Sequence, residues 1–135
     1  MSEFRIASSG GDLSAAGALL SAILAGYDKH YEPEWSFKPQ SSFDDLPTGG
    51  RLALGYPVVT WKWGALRFQQ RQLLKAFCTG LSTSVKIKTA TNETSAGVRT
   101  FASYTAWMNW TPQQELIGIN YVEQVTIIFT HCVVI

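Results

Sequence analysis

The chain has 135 residues, with 11 basic and 10 acidic side chains that give a net charge of +1. This length predicts one domain, 1–135, with a substantial core, and the near-neutral charge excludes the basic field that would hold a nucleic-acid backbone or an anionic membrane. Charged residues make up 16% of the chain and aromatic residues 13%, so much of the surface must be neutral, which favours contacts with other protein chains.

The first predicted element is a helix in the apolar run 13–26. Asp12 or Ser14 can cap its first turn and Gly26 can end it, whereas Gly17 weakens it. The run is shorter than the roughly 20 apolar residues that a membrane helix needs. It also follows acidic residues instead of basic ones, so we expect neither a membrane span nor a signal peptide here.

A long irregular segment is predicted for 27–57, because four prolines, a Gly-Gly pair and a Ser-Ser pair interrupt every periodic pattern. Its aromatic side chains distinguish it from a flexible linker; they are Tyr27, Tyr31, Trp35, Phe37 and Phe43. They either cap the core of the domain or contact another subunit. Residues 1–57 are thus predicted to form a helix and a long aromatic loop, followed by a β-rich core over 58–135.

The core region begins with a predicted strand from Val58 to Trp63 and a helix over 66–77. A period of two places Val59, Trp61 and Trp63 on one face of the strand. In the helix, one stripe is apolar and the glutamines lie mostly outside it; the stripe comprises Leu66, Leu73, Leu74 and Phe77.

Three further strands complete the predicted order. The stretch 83–91 alternates, with Val85, Ile87 and Thr89 on one face and Ser84, Lys86 and Lys88 on a solvated face. After a polar turn over 92–97, 98–110 is rich in aromatic and β-branched residues, and 121–135 is apolar on both faces in its second half. A strand of the latter kind is typical of the centre of a sheet or of an interface.

These elements predict an α+β fold: a mostly antiparallel β-sandwich or barrel-forming domain with one flanking helix and a long N-terminal loop. A β-rich chain with few charges exposes the hydrogen-bonding groups of its edge strands unless something pairs with them. We therefore expect assembly with further copies of the chain.

The two cysteines, Cys78 and Cys132, are far apart in sequence and form no CxxC motif. Both are predicted to lie in apolar elements, where a free cysteine behaves as a small hydrophobic residue. Reduced thiols in a reducing cytosol are the favoured interpretation, and a single disulfide is the alternative.

Residues that could carry chemistry are few. The histidines are His30 and His131, and neither is spaced as a metal ligand; Asp44 and Asp45 are neighbours in an irregular segment and point in different directions. No phosphate-binding, nucleophile-elbow or zinc-protease motif is present. We accordingly predict no enzyme, with no catalytic, cofactor-binding or metal-binding residue and no cofactor.

The order of elements resembles that of the tail tube proteins of long-tailed bacteriophages. The resemblance covers 58–134 and includes a helix of the type Gln-x-x-Leu-Leu-x-x-Phe, here Gln70, Leu73, Leu74 and Phe77. The N-terminal third departs from the family, since a helix and a loop replace its opening strands, and the net charge is not acidic.

This resemblance implies a structural virion protein with a two-sheet sandwich that assembles into stacked hexameric rings around a channel for DNA. Its partners would be copies of itself, other phage tail proteins and DNA in transient, non-specific passage, with no membrane. It would be assembled in the host cytoplasm and located in the phage tail, with Lys86 and Lys88 facing solvent or another subunit. Related rings of the same fold, namely tail terminators, distal tail rings and baseplate adaptors, fit equally.

The sequence is also compatible with two other functions. A monomeric ligand-binding module would line a groove with Trp35, Trp61 and Trp63. A small enzyme would use His131 together with Asp44 or Asp45.

Overall fold

The computed structural model describes residues 4–24, 32–78, 80–110, 116–117 and 121–135. The α+β fold with mostly antiparallel strands is confirmed. The strands are β1 (Arg5–Ser8), β2 (Glu34–Lys38), β3 (Ser42–Asp45), β4 (Arg51–Leu54), β5 (Val58–Arg67), β6 (Ser82–Glu93), β7 (Arg99–Trp110), β8 (Leu116–Ile117) and β9 (Tyr121–Val134). The helices are a 3-10 turn (Ala16–Ala18), α1 (Leu20–Ile23) and α2 (Phe68–Lys75).

The main sheet has the strand order β1-β6-β7-β9-β5-β2, with β8 paired to β9, and all of its pairings are antiparallel. The terminal strand β9 lies between β7 and β5, so of the two predicted positions, the centre of a sheet or an interface, the structure shows the first. The second sheet consists of β3 and β4 alone.

The main sheet curls around one core cluster, which brings residues of strands that are not neighbours in the sheet into contact. Phe4, which immediately precedes β1, packs edge-on against Trp61 of β5 with ring centroids 5.7 Å apart. Phe37 of β2 stacks on Tyr104 of β7 at 6.1 Å. Aromatic side chains therefore contact one another across the core that the inner face of the sheet surrounds.

The inner face matches the predicted periodicity. Val59, Trp61 and Trp63 of β5 are buried, as are Val85, Ile87 and Thr89 of β6. Ser84, Lys86 and Lys88 are partly exposed on the opposite face of β6. The alternation in these strands arises because one face packs in the core and the other meets solvent.

Helix α2 is shorter than the predicted 66–77, and its residues are placed differently. Leu66 belongs to β5, where it pairs with Val122 of β9, because the strand continues through Gly64 to Arg67. Gln70, predicted outside the apolar stripe, is fully buried, while Leu73 is exposed. The Gln70 side chain accepts a hydrogen bond from the Arg67 amide at 3.1 Å and donates one to the Leu24 carbonyl at 3.0 Å.

The N-terminal third differs most from the prediction. The chain opens with β1, which pairs with β6, and the predicted helix 13–26 reduces to the 3-10 turn and the short α1. The predicted irregular segment 27–57 contains β2, β3 and β4. Tyr27, Tyr31, Gly26 and His30 lie outside the described residues.

Both cysteines are free and buried, Cys78 just after α2 and Cys132 in β9, as expected for two thiols and not for a disulfide. Among the helices of the described residues, none has the length and apolar character needed to cross a membrane.

Candidate functional site

The side chains considered for catalysis are not brought together. His131 lies on β9, where its ring contacts Tyr56 at a centroid distance of 3.9 Å. Asp44 and Asp45 lie on β3, and Asp45 forms an ion pair with Arg51 at 3.4 Å. Within the described part of the chain, no hydrogen bond or ion pair links His131 to either aspartate, and no group of three or more His, Cys, Asp or Glu side chains could hold a metal ion.

The tryptophans proposed for a ligand groove belong mainly to the core. Trp61 is fully buried, Trp63 is 3% exposed, and their rings meet edge-on at 6.3 Å. Trp35 packs at the margin of the same core. Trp61 and Trp63 therefore cannot stack on a ligand unless the core opens.

The hairpin formed by β3 and β4 is a two-stranded sheet separate from the main sheet. Every residue of 41–56 is exposed. The turn is closed by the Leu46 amide, which donates to the Gly50 carbonyl at 2.8 Å, and by the Gly49 amide, which donates to the Leu46 carbonyl at 3.0 Å. The described residues supply neither a third strand nor a packed face to this hairpin. An isolated two-stranded hairpin is only marginally stable in water.

The two faces of the hairpin differ in chemistry. Directly opposed residues share a face, so the pairs Phe43–Ala53 and Asp45–Arg51 lie on one side. There, the Arg51 guanidinium lies 4.1 Å from the centroid of the Phe43 ring.

The other side of the hairpin carries the pairs Ser42–Leu54 and Asp44–Leu52. Leu52 is 51% exposed and Leu54 36% exposed. The two leucines adjoin on one face of the hairpin. Adjoining apolar side chains exposed to solvent are typical of a contact surface. We call residues 42–54 the hairpin arm.

The base of the hairpin arm is fixed to the main sheet. The Ser41 hydroxyl donates to the Leu54 carbonyl at 3.3 Å, and the Cys132 amide of β9 donates to the Pro57 carbonyl at 3.4 Å. Gly55 has φ +79°, and a Cβ atom placed on it would lie 1.8 Å from the Ser41 hydroxyl oxygen. Only glycine fits this close approach without strain.

A second exposed apolar surface lies on the outer side of the main sheet. Trp107 of β7 is 48% exposed, and Val133 of β9, on the neighbouring strand, is 47% exposed. Central strands with apolar residues on the outer face are consistent with the interface expected from the sequence of β9.

Comparisons of the chain with protein-family models, with curated proteins and with solved structures find no match.

Sequence reasoning placed Phe43 in a loop that could contact another subunit, but it missed Leu52 and Leu54. A local signal was present: Leu46-Pro47-Thr48-Gly49-Gly50 is rich in turn-forming residues. It is flanked by 42–45 and 51–54, and four residues on each side are enough to form the two strands of a hairpin.

Proposed function

We propose that this protein is a structural subunit that assembles with copies of itself. The observation that supports this most directly is the hairpin arm, a two-stranded sheet with Phe43, Leu52 and Leu54 exposed. Burial of these side chains on another copy would remove apolar surface from water at about 25 cal/mol per Å². It would also order a hairpin that is marginal alone.

The edges of the main sheet, as far as the chain is described, support the same proposal. The outer side of β1 is partly covered, because the Leu20 amide donates to the Phe4 carbonyl at 2.9 Å and Arg5 forms a bridge with Leu19. At the other end of the described sheet, β2 pairs only with β5. An edge of this kind is a template for pairing with another chain.

Within this class, we favour a subunit of a bacteriophage tail tube, assembled in the host cytoplasm into stacked hexameric rings with a channel for DNA. The proposal rests on the resemblance over 58–134 and on three features that suit it. A long curled antiparallel sheet can contribute strands to a ring, α2 flanks it, and the hairpin arm extends from its base to reach a neighbouring subunit. Subunits that contact one another through two different surfaces form a closed ring when the rotation between neighbours closes. Such rings can then stack.

The test is the mass of the purified protein in solution together with negative-stain electron microscopy. We expect rings or tubes built from the 14.9 kDa subunit. Closed rings that never stack would contradict the tube and support a terminator, distal or adaptor ring. A monomer at all concentrations would contradict self-assembly.

A matched pair of variants tests the role of the hairpin arm. Changing Leu52 and Leu54 together to serine removes the apolar face of the arm, so we expect assembly to be lost while the thermal unfolding of the monomer is unchanged. The control is Leu81→Ser, since Leu81 is 78% exposed outside the arm. Equal assembly by all three proteins would contradict the arm as the contact surface.

A further inference from the structure

A cavity of about 430 Å³ opens on the outer face of the main sheet. Strands β1, β6 and β7 and the loop that follows β1 form its walls. The lining residues are Arg5, Asp12, Leu13, Ser14, Lys86, Lys88, Ser103 and Ile135.

Positive charge is concentrated in this cavity. Arg5 of β1 lies directly opposite Lys88 of β6, and Lys86 is two residues away on the same face. Like charges directly opposed on neighbouring strands destabilise a sheet. Elsewhere in the same sheet the charges are matched, since Glu34 of β2 is opposite Lys62 of β5.

Backbone carbonyl groups hold two of these cations in place. The Arg5 Nη1 donates to the carbonyls of Leu13 at 3.2 Å and Ala15 at 3.1 Å, and the Lys86 Nζ donates to the carbonyl of Gly11 at 3.1 Å. Carbonyl oxygens orient the side chains but do not neutralise their charge. The Nε–H group of Arg5 is buried and finds no acceptor among the described residues.

The carboxylate side chain in the lining is engaged locally. Asp12 Oδ1 accepts hydrogen bonds from the Ser14 hydroxyl at 2.6 Å and from the Ser14 amide at 3.0 Å. These bonds, with smaller contributions from the charges of Lys86 and Arg5, hold the pKa of Asp12 below its usual value. Three cations therefore face one carboxylate among the described lining residues. Even with a main-chain carboxylate at Ile135 counted as a second acid, the balance is positive.

We propose that this cavity binds a phosphate-type oxyanion. A guanidinium group matches the geometry of phosphate oxygens, and an ammonium group adds a charge-assisted hydrogen bond. The Ser103 hydroxyl is a further hydrogen-bond donor in the lining. The proposal is independent of assembly, and the phosphate can belong to a free ion or to a nucleic-acid backbone.

The first experiment is a titration of the protein with inorganic phosphate at constant ionic strength, followed by amide chemical shifts. We expect saturable shifts in β1, in β6 and in 11–14. The Lys86→Gln variant should weaken binding roughly tenfold. Lys62→Gln, on the exposed face of β5, is the matched control and should bind phosphate as the parent protein does.

A second arm with a short DNA duplex distinguishes the two sources. Binding of the duplex that weakens in Lys86→Gln, with a smaller dependence on salt than the parent, would assign the site to a nucleic-acid backbone. Saturable binding of phosphate without binding of the duplex would assign it to a free ion. No saturable binding of either probe, or equal binding by parent and Lys86→Gln, would overturn the proposal.

Discussion

The indole Nε1–H of Trp61 donates a hydrogen bond of 2.9 Å to the hydroxyl of Thr89 in the interior of the protein. The two residues lie on β5 and β6, strands that are not neighbours in the sheet, and both are fully buried. The Thr89 hydroxyl in turn donates to the Ala90 carbonyl at 3.3 Å. The hydrogen-bond donor of the fully buried Trp61 side chain is thereby satisfied by a strand on the opposite side of the core.

The first prediction is that Thr89→Val destabilises the protein although it preserves the shape of the side chain. The buried Trp61 donor would lose its acceptor, which costs about 1–3 kcal/mol. Urea unfolding measures the change. Thr60→Val is the control, because Thr60 is partly exposed on β5 and should change the free energy of unfolding by less than about 0.5 kcal/mol. Equal effects of the two substitutions would contradict the role of the hydrogen bond.

The second prediction concerns Gln70 of α2, which is hydrogen-bonded to the carbonyl of Leu24 just after α1. Gln70→Met keeps the volume but removes both the acceptor for the Arg67 amide and the donor to the Leu24 carbonyl. We expect a loss of about 1–3 kcal/mol in the free energy of unfolding, measured by chemical denaturation. Gln69→Met, at an exposed position of the same helix, is the control. An unchanged midpoint in Gln70→Met would show that these hydrogen bonds contribute nothing.

The sequence predicted those elements whose side chains repeat with a clear period. In β6, the alternation of Val85, Lys86 and Ile87 reflects one buried and one solvated face, so both the strand and its orientation were predictable. In β9, the apolar C-terminal half indicated a central or an interface position, and the strand is central. Such patterns arise because packing constrains every second residue of a strand.

The sequence did not predict the elements that lack this constraint. The hairpin arm is exposed on both faces, so its residues show no alternation between a buried and a solvated face. Strand β1 has four residues, too few to establish a period. The burial of Gln70 depends on a carbonyl 46 positions earlier in the chain, and local periodicity contains no information about such a contact. The clustering of Arg5 and Lys86 in one cavity was missed for the same reason, since the two residues come together only through the pairing of β1 with β6.

The third prediction is that Gly55→Ala disturbs the base of the hairpin arm and leaves the core intact. Alanine is strained at φ +79°, and its Cβ atom would overlap the Ser41 hydroxyl. We expect faster amide hydrogen exchange over 42–54 and weaker assembly, with little change in the exchange of β5 to β9. Gly64→Ala is the control, because no atom lies within 4 Å of a Cβ at that position. Unchanged exchange in the hairpin arm of Gly55→Ala would contradict the requirement for glycine.

The fourth prediction concerns the reactivity of Cys132. Burial raises the pKa of this thiol to about 11, and its Sγ lies 3.6 Å from the Phe129 carbonyl oxygen. With that pKa, only roughly one Cys132 thiol in a thousand is ionised at pH 8. The thiolate is the form that reacts, so labelling is slow. In a Cys78→Ala background, we expect a thiol reagent to label the folded protein very slowly and the urea-unfolded protein at once. Labelling of the folded protein at the rate of an exposed cysteine would contradict this.

The same pKa difference predicts a dependence of stability on pH. Below pH 9, the ordinary pKa of this group, the Cys132 thiol is protonated in the folded and in the unfolded protein. Its ionisation therefore does not change the free energy of unfolding in that range. Above that pH the unfolded state loses the proton first, and the free energy of unfolding must fall as the pH rises towards 11. In the Cys78→Ala background, replacing Cys132 by alanine should make this decline shallower. An identical decline in both proteins would show that other groups are responsible for it.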